Sequence, residues 1–442
     1  MQQHVLALLS AVLAAPAADV VGTWPKGPIK LPGAKLPNVP LLGNGFLGVA
    51  FGSPIGGTSK TSSSAIGPNG SGALDMWLNT NAFWACKSTG SAGNHTPNEV
   101  PAVCARRALG GVSLSASSAS AAFSTVTATQ LPLLGQVKVT LGLPGGGGCA
   151  VRTTSVVHPA SSVLLTTLSY SAPAAAACPL EVTLNVSTWA LGDPYDAFPS
   201  VQAGCHGCAA ASRRLYERGT NATLTPRIVW GALAARIVGG SGRGSGGGAV
   251  AATLVREGGW GGAVGGWQTV TLQAGAAGAG GGSTGTANDV FLITAFADNL
   301  RSNSNTVDPA AAAAALAAAT DPPAAAAAAA THWASFHNAS SVRLPSQPAL
   351  ERYWWGAQFI TGAMTPAAAM LASTDPAAPG ALAPPSGLYG PWVTSDGPSW
   401  NGDYTLDYNQ EAQFYGVHSS NHPELATGYF PPVRCSSQRA FV

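Results

Sequence analysis

Charge is scarce in this chain. Asp, Glu, Lys and Arg make up 9 % of its 442 residues, 21 basic against 19 acidic, for a formal net charge of +2. A polyanion is held by clustered cations, so this balance argues against a nucleic-acid partner and against an acidic lipid surface. Long hydrophobic runs are also missing. The apolar stretch Val5 to Ala15 is shorter than the ~20 residues that span a bilayer, and the Ala run near 310–330 is too weakly hydrophobic, so no membrane partner is expected. The Gly-rich stretches Gly239 to Gly248 and Gly275 to Gly282 do not sit between a strand and a helix opening with Lys-Ser/Thr. They read as flexible hairpin loops rather than phosphate cradles. Cys205-His206-Gly207-Cys208 has no second CxxC to complete a metal or redox site, so structural disulfides are the reading, with no metal and no cofactor expected.

What is present begins with an export pattern. MQQHVLALLSAVLAAPAADV has an apolar core followed by the small-residue pattern Ala15-Pro16-Ala17, although its first residues carry only His4 and no Lys or Arg. Residues 1–18 are read as a secretory signal peptide, which places the protein in a secreted, extracellular or lumenal setting. Seven cysteines (Cys86, Cys104, Cys149, Cys178, Cys205, Cys208, Cys435) suit an oxidising compartment. Five sequons, at Asn69, Asn94, Asn185, Asn221 and Asn338, are candidate glycan sites on surface loops.

With 55 Gly and 33 Pro, the chain favours loop-rich β structure over its first two-thirds. Short apolar or alternating runs recur there: Val137 to Leu143, Ser162 to Ser171, Leu180 to Ser187, Gly266 to Ala274 and Asp289 to Asp298. Many strands without intervening amphipathic helices predict a large antiparallel β-sandwich over 19–305. The composition then turns to Ala. Residues 306–345 predict a helical linker of two Ala-rich helices parted by Pro322-Pro323, with Pro309 and Pro322 at first-turn positions and Asp308 and Asp321 near the starts. The alternative is a low-complexity linker. Residues 346–442 predict the beginning of a helical domain, with Leu350 to Met364 and Gln410 to Tyr415 as helices. Such a domain buries its own core with of order 100 residues or more, and the stretch from Leu350 to Val442 is predicted to hold only the first part of one.

The block from Gly387 to Leu425 differs in texture from everything before it. Tyr389, Trp392, Trp400, Tyr404, Tyr408, Phe414 and Tyr415 interleave with Asp396, Asn401, Asp403, Asp407, Asn409, His418 and Asn421. Flat rings stack on the C–H faces of a sugar while carboxylates and amides take its hydroxyls, so the block predicts a carbohydrate or glycoconjugate partner. Trp392, Trp400 and Tyr404 are candidate sugar platforms, or alternatively domain core. His418 is a candidate substrate contact, or a satisfied histidine. Asp407 is a candidate catalytic base or water-holder, or alternatively a helix N-cap, and Asn409 is a candidate water or hydroxyl ligand. Glu411, two residues from Asn409, is a weaker carboxylate partner, and Asp396 and Asp403 suit turns.

The same block resembles the start of the catalytic domain of glycoside hydrolase family 95, the α-L-fucosidase and α-L-galactosidase family. That family carries text like NLQGIW…PPW…Y…NINxxMNYWP…NLxEL. The matching text here is Leu388-Tyr389-Gly390-Pro391-Trp392, Pro398-Ser399-Trp400, Tyr404 to Asn409, Phe414-Tyr415 and Pro423-Glu424-Leu425. Pro40 to Gly52 (PLLGNGFLGVAFG) is similar to the family's PxGNGRLGAMVFG, and Leu74 to Trp84 (LDMWLNTNAFW) to its lNExTLW segment. The three matches fall in family order. The resemblance implies an N-terminal antiparallel β-super-sandwich, a helical linker and an (α/α)6 barrel, here incomplete. It also implies inverting hydrolysis, in which two Asn of the NIN motif hold the attacking water and a downstream Glu is the general acid. The NIN positions match Asp407, Tyr408 and Asn409, and the acid's expected position lies beyond Val442. Asp407 replaces an amide by a carboxylate, which takes a proton from water directly. A sugar phosphorylase on the same architecture needs a basic cluster, and Lys and Arg are sparse near the block.

Overall fold

The computed structural model describes residues 20–24, 39–52, 74–87, 103–116, 123, 125–142, 149–171, 181–188, 196–197, 201–202, 208–217, 227–239, 251–258, 264–273, 290–299, 309–366, 386–393, 399–406 and 408–429. The signal segment, three of the cysteines (Cys178, Cys205 and Cys435) and both Gly-rich stretches beyond Gly239 lie outside these residues, as do Asp308, Asp396 and Asp407.

Among the described residues, ten strands form one sheet in the order β1 (Gly22–Trp24), β8 (Thr125–Leu131), β9 (Gln136–Gly142), β10 (Ala150–Val157), β11 (Val163–Ser171), β19 (Val290–Asp298), β16 (Arg227–Gly239), β15 (Cys208–Glu217) and β13 (Asp196–Ala197), with β14 (Val201–Gln202) also on β15. A second sheet of seven runs β17 (Ala251–Gly258), β18 (Val264–Gln273), β12 (Glu181–Thr188), β7 (Gly110–Ala116), β4 (Leu74–Thr80), β3 (Leu47–Gly52) and β2 (Leu41–Gly43). A separate pair joins β5 (Trp84–Lys87) to β6 (Val103–Arg106). Neighbouring strands are antiparallel in both sheets, for example Thr153 opposite Leu168 and Val49 opposite Leu78.

The alternating runs form strands because their period-two pattern puts one face in the core. Val137, Val139 and Leu141 of β9 are buried while Lys138 between them is exposed. Both sheets feed one hydrophobic core: Phe51, Met76 and Leu78 from the second meet the cluster that holds Leu141, Leu164 and Leu292 from the first. β3 and β4 are buried at every residue, which a sheet with one wet face does not produce. Their other face is covered by the C-terminal third of the chain.

The hairpin reading of the two Gly-rich stretches is corrected by this topology. β16 lies in the first sheet and β17 in the second, and β18 and β19 are divided the same way, so each stretch links strands of different sheets. Asn185 lies within β12, paired on both sides, rather than on a loop, while Asn338 is exposed at a helix end. Cys149 and Cys208 are each disulfide-bonded, in line with the structural reading of the cysteines.

Among the described residues, three helices of ten residues or more follow the sheets. α1 (Ala310–Ala319) buries Ala310, Ala313, Ala314 and Ala317, the i, i+3, i+4, i+7 positions of one face. That face meets Ala210, Ala232 and Ala234 on the first sheet, so small residues on both sides allow close approach. α2 (Pro322–Asn338) starts with Pro322 in its first turn, where a missing N–H costs nothing. Its Trp333 packs on Gly135, which sits at φ 56° and has no room for a Cβ. α3 (Pro348–Met364) buries Glu351, Trp355, Phe359 and Ala363, again one stripe. The Gln410 to Tyr415 helix of the sequence reading reduces to a single turn, α4 (Asn409–Ala412), followed by turns to residue 421. No helix of the described residues is long and apolar enough to cross a membrane.

Candidate functional site

Three stretches that are far apart in sequence meet on the outer face of β2–β4. The Gly43 to Gly48 turn is shaped by Asn44, whose side-chain oxygen accepts from the N–H groups of Phe46 (3.0 Å) and Leu47 (2.8 Å). Its amide donates to the carbonyls of His158 (2.8 Å) and Ser161 (2.9 Å), tying the turn to the first sheet. The glycines admit backbone from elsewhere. A Cβ on Gly43 would meet Ala363 O at 2.4 Å and one on Gly48 would meet Pro391 O at 2.5 Å. The end of β4 supplies two amides. Asn79 donates to Arg107 O (3.0 Å) and Val393 O (2.7 Å), and Asn81 donates to Gly45 O (2.5 Å) and Ser386 Oγ (3.0 Å).

These contacts seat the turn at 386–393 on the sheets. Trp392 completes the seat: it is 6 % exposed and its Nε1–H donates to Leu42 O at 2.7 Å. Its ring belongs to the shared core, so it presents no face to a sugar, and the platform reading of Trp392 gives way to the core alternative. The second turn, residues 399–405, is locked to the first. Leu388 N donates to Asp403 O (2.9 Å), and Gly387 lies so close to Gly402 O that a Cβ would approach it to 2.2 Å. Asp403 behaves as the turn residue expected of it, accepting from Thr405 N (3.1 Å) and from the Thr405 hydroxyl.

Between the two turns is a cleft of about 260 Å³ lined by Leu388, Tyr389, Trp400, Thr405 and Asn409. Trp400 and Asn409 are the two sequence-predicted site residues that the fold brings together here. Trp400 is 71 % exposed, in contrast to Trp392. Three non-glycine residues of this rim hold left-handed backbone, Trp400 (φ 50°), Thr405 (φ 32°) and Tyr408 (φ 76°). Such conformations cost of order 1–3 kcal/mol each and cluster at ligand sites. Tyr408 is the N-cap position of α4. Beside the cleft, Tyr408 and Tyr415 are both exposed and meet edge to face at 6.2 Å.

The remaining predicted residues sit apart from the lining. Tyr404 is half-buried, and burial pushes its phenol up to about 12 against the opposing effect of Arg106. His418 is exposed and does not line the cleft. Glu411 is half-buried, with Oε2 enclosed and without a hydrogen-bond partner. No carboxylate lines the cleft among the described residues. No group of three His, Cys, Asp or Glu among them is arranged for a metal ion.

Sequence reasoning missed Leu388, Tyr389 and Thr405 as lining residues, and Arg106, Asn79 and Asn81 as their supports. The asparagines carried a signal in hindsight: polar amides at the end of an otherwise apolar strand need partners once buried. Arg106 carried none.

No family model and no curated protein matches the chain. Among solved structures, it is similar to a protein described as a kojibiose phosphorylase from the human microbiome (TM-score 0.47, 10 % identity, 73 % of this chain and 39 % of that one). It is also similar to a family 92 glycosyl hydrolase (TM-score 0.37, 13 % identity, 79 % and 41 %) and to a bacterial glucoamylase complexed with acarbose (TM-score 0.36, 9 % identity, 78 % and 44 %). This chain therefore spans less than half the length of each of them.

Proposed function

We propose that this chain is a carbohydrate-active protein whose sugar site is the cleft between the 387–390 and 400–405 turns, and that it belongs to an inverting glycoside hydrolase acting on a terminal L-sugar or related glycoside. The observation that carries this is the juxtaposition of an exposed indole, Trp400, and an exposed amide, Asn409, in one cleft that Tyr389 also lines. A ring face and a hydrogen-bonding amide are the two things a sugar demands of a site. In the proposed chemistry Asn409 and Asp407 hold water at the anomeric carbon, and Asp407 takes its proton as the C–O bond to the leaving group breaks. A second carboxyl, roughly 6.5–9.5 Å from Asp407, would donate to the leaving oxygen.

The proposed architecture is an antiparallel β-sandwich over 19–305, a helical linker over 306–345 and the first part of an (α/α)6 barrel over 346–442. The shared core of the two sheets and the helices α1 to α3 support it. Export through residues 1–18 is part of the proposal, supported by the disulfides at Cys149 and Cys208.

The test is a screen of the secreted chain on aryl glycosides, α-L-fucoside and α-L-galactoside included, beside Asp407→Asn and Asn409→Ala. Hydrolysis lost in both variants is expected. Undiminished hydrolysis by Asp407→Asn refutes the direct-base step. A second reading, a carbohydrate-binding protein without hydrolysis, is favoured by the absence of a carboxylate among the described lining residues. Glycan binding with no turnover of any glycoside decides for it.

A further inference from the structure

We propose that Arg106, a residue of the β-sheet unit, is the positioning residue of the aromatic cleft: its guanidinium holds the cleft-forming turns in place, and a carbohydrate binds there only while that hold is intact. The second half rests on the reading of the cleft as a sugar site. The first half stands on geometry alone.

Arg106 ends β6 and is fully buried. Its Nη2 donates to Thr80 O (2.8 Å) and to Asn81 Oδ1 (2.6 Å) at the end of β4. Its Nη1 donates across 284 residues of sequence to Gly390 O. Gly390 follows Leu388 and Tyr389, so fixing its carbonyl fixes the peptide that orients one wall of the cleft. The network continues outward. Asn81 donates to Ser386 Oγ (3.0 Å), and Ser386 O accepts from Gln410 Nε2 (3.0 Å), the residue next to Asn409. In the second turn, behind the lining, Tyr404 lies within the field of Arg106, each group acting on the other's proton affinity. One side chain thus touches or reaches residues 386, 390, 404 and 410, which lie within two residues of four of the five lining residues, Leu388, Tyr389, Thr405 and Asn409.

The chemistry argues that this is more than packing. A buried charge is costly, and an apolar side chain of the same volume fills such a space as well or better. What an apolar side chain cannot supply is a planar fork of donors aimed at separate carbonyls. Burial lowers the guanidinium to about 10, a sign of how thoroughly water is removed from it. The three oxygens it meets come from β4, from the residue after β4 and from the C-terminal block, so the fork fixes their mutual positions.

The test uses the full chain with Arg106→Met, which keeps the length and removes the fork, and Arg106→Lys, which keeps the charge. Amide hydrogen exchange is read in peptides covering 387–393 and 400–410 and, as an internal reference, in β9 to β11. Titrations with 2′-fucosyllactose and with maltotriose are read by calorimetry. In Arg106→Met, exchange in the two turns is expected to rise at least about tenfold while the reference strands stay unchanged. Sugar affinity is expected to fall at least about tenfold, with Arg106→Lys intermediate in both. Unchanged exchange in the turns overturns the hold, as does an equal rise everywhere. Wild-type affinity in a variant with loosened turns overturns the link to binding. If the wild-type chain binds neither sugar, the sugar half is refuted and the exchange data alone judge the hold. Should Arg106→Met fail to fold, Arg106→Lys decides, since turns that exchange as in wild type without the fork refute it.

Discussion

Two tryptophans eight residues apart, each preceded closely by proline, have opposite fates in this fold, and a pair of substitutions separates them. Trp392 is in the shared core with its Nε1–H on Leu42 O at 2.7 Å, whereas Trp400 stands 71 % exposed on the cleft. Trp392→Phe keeps the aromatic volume largely in place but leaves Leu42 O without that donor. An acceptor left so costs about 1–3 kcal/mol, which is roughly a 5- to 150-fold change in the unfolding equilibrium. Trp392→Ala adds a cavity and costs about 3–5 kcal/mol, a large part of the stability of an ordinary domain. Trp400→Ala removes a solvated ring and should change stability by less than about 0.5 kcal/mol. It should nevertheless remove the proposed stacking platform, worth about 1–3 kcal/mol in binding by analogy with ring-on-ring stacking. The assay is urea denaturation followed by circular dichroism, beside a 2′-fucosyllactose titration. A Trp392→Phe variant as stable as wild type but unable to bind sugar would refute the assignment of Trp392 to the core.

Other outcomes follow from the same geometry. Gly48→Ala places a Cβ at 2.5 Å from Pro391 O and should cost about 1–3 kcal/mol, read as a lowered melting temperature. Gly356→Ala on α3 meets open space and should raise stability by about 0.4–1 kcal/mol in the same measurement. Burial, aided by His422 and His332, holds His337 at about 4, below the ordinary imidazole value, even though its Nε2 lies 3.2 Å from Pro132 O. The unfolded chain protonates there near 6.5 and the folded one only near 4. Stability is therefore full above about 6.5 and declines as pH falls toward 4, by of order 3 kcal/mol. His337→Gln should flatten that stretch of the stability-versus-pH curve, and an unchanged slope would refute the assignment.

Much of the secondary structure was legible because it depends on local pattern. Val137, Val139 and Leu141 alternate with polar residues, and the strand follows. Pro322 stands at the first turn of a helix whose buried positions repeat with helical spacing, so the Ala-rich stretch is a helix rather than a low-complexity linker. The Gln410 to Tyr415 helix shrinks to the single turn Asn409–Ala412, and Tyr408 and Tyr415 on either side of it face water. The hairpin reading of the Gly-rich stretches failed for another reason. Strand composition says nothing about which sheet a strand joins.

By itself, then, the sequence determined the periodicities: β strands to about residue 300, Ala-rich helices after them, and an aromatic, amide-bearing block near the end. Only the tertiary structure decided which members of that block are exposed and which are buried. Trp392 and Trp400 read alike, and their difference lies in Leu42, Gly48 and Asn79, more than 300 residues away: Leu42 O takes the Trp392 Nε1–H, while Gly48 and Asn79 meet its neighbours Pro391 and Val393. The same holds for Arg106, an unremarked cation in sequence and the buried tie between sheet and cleft in the fold. Pattern is set by neighbours along the chain, whereas burial and hydrogen-bond partners are set by whatever the rest of the chain brings to the same place.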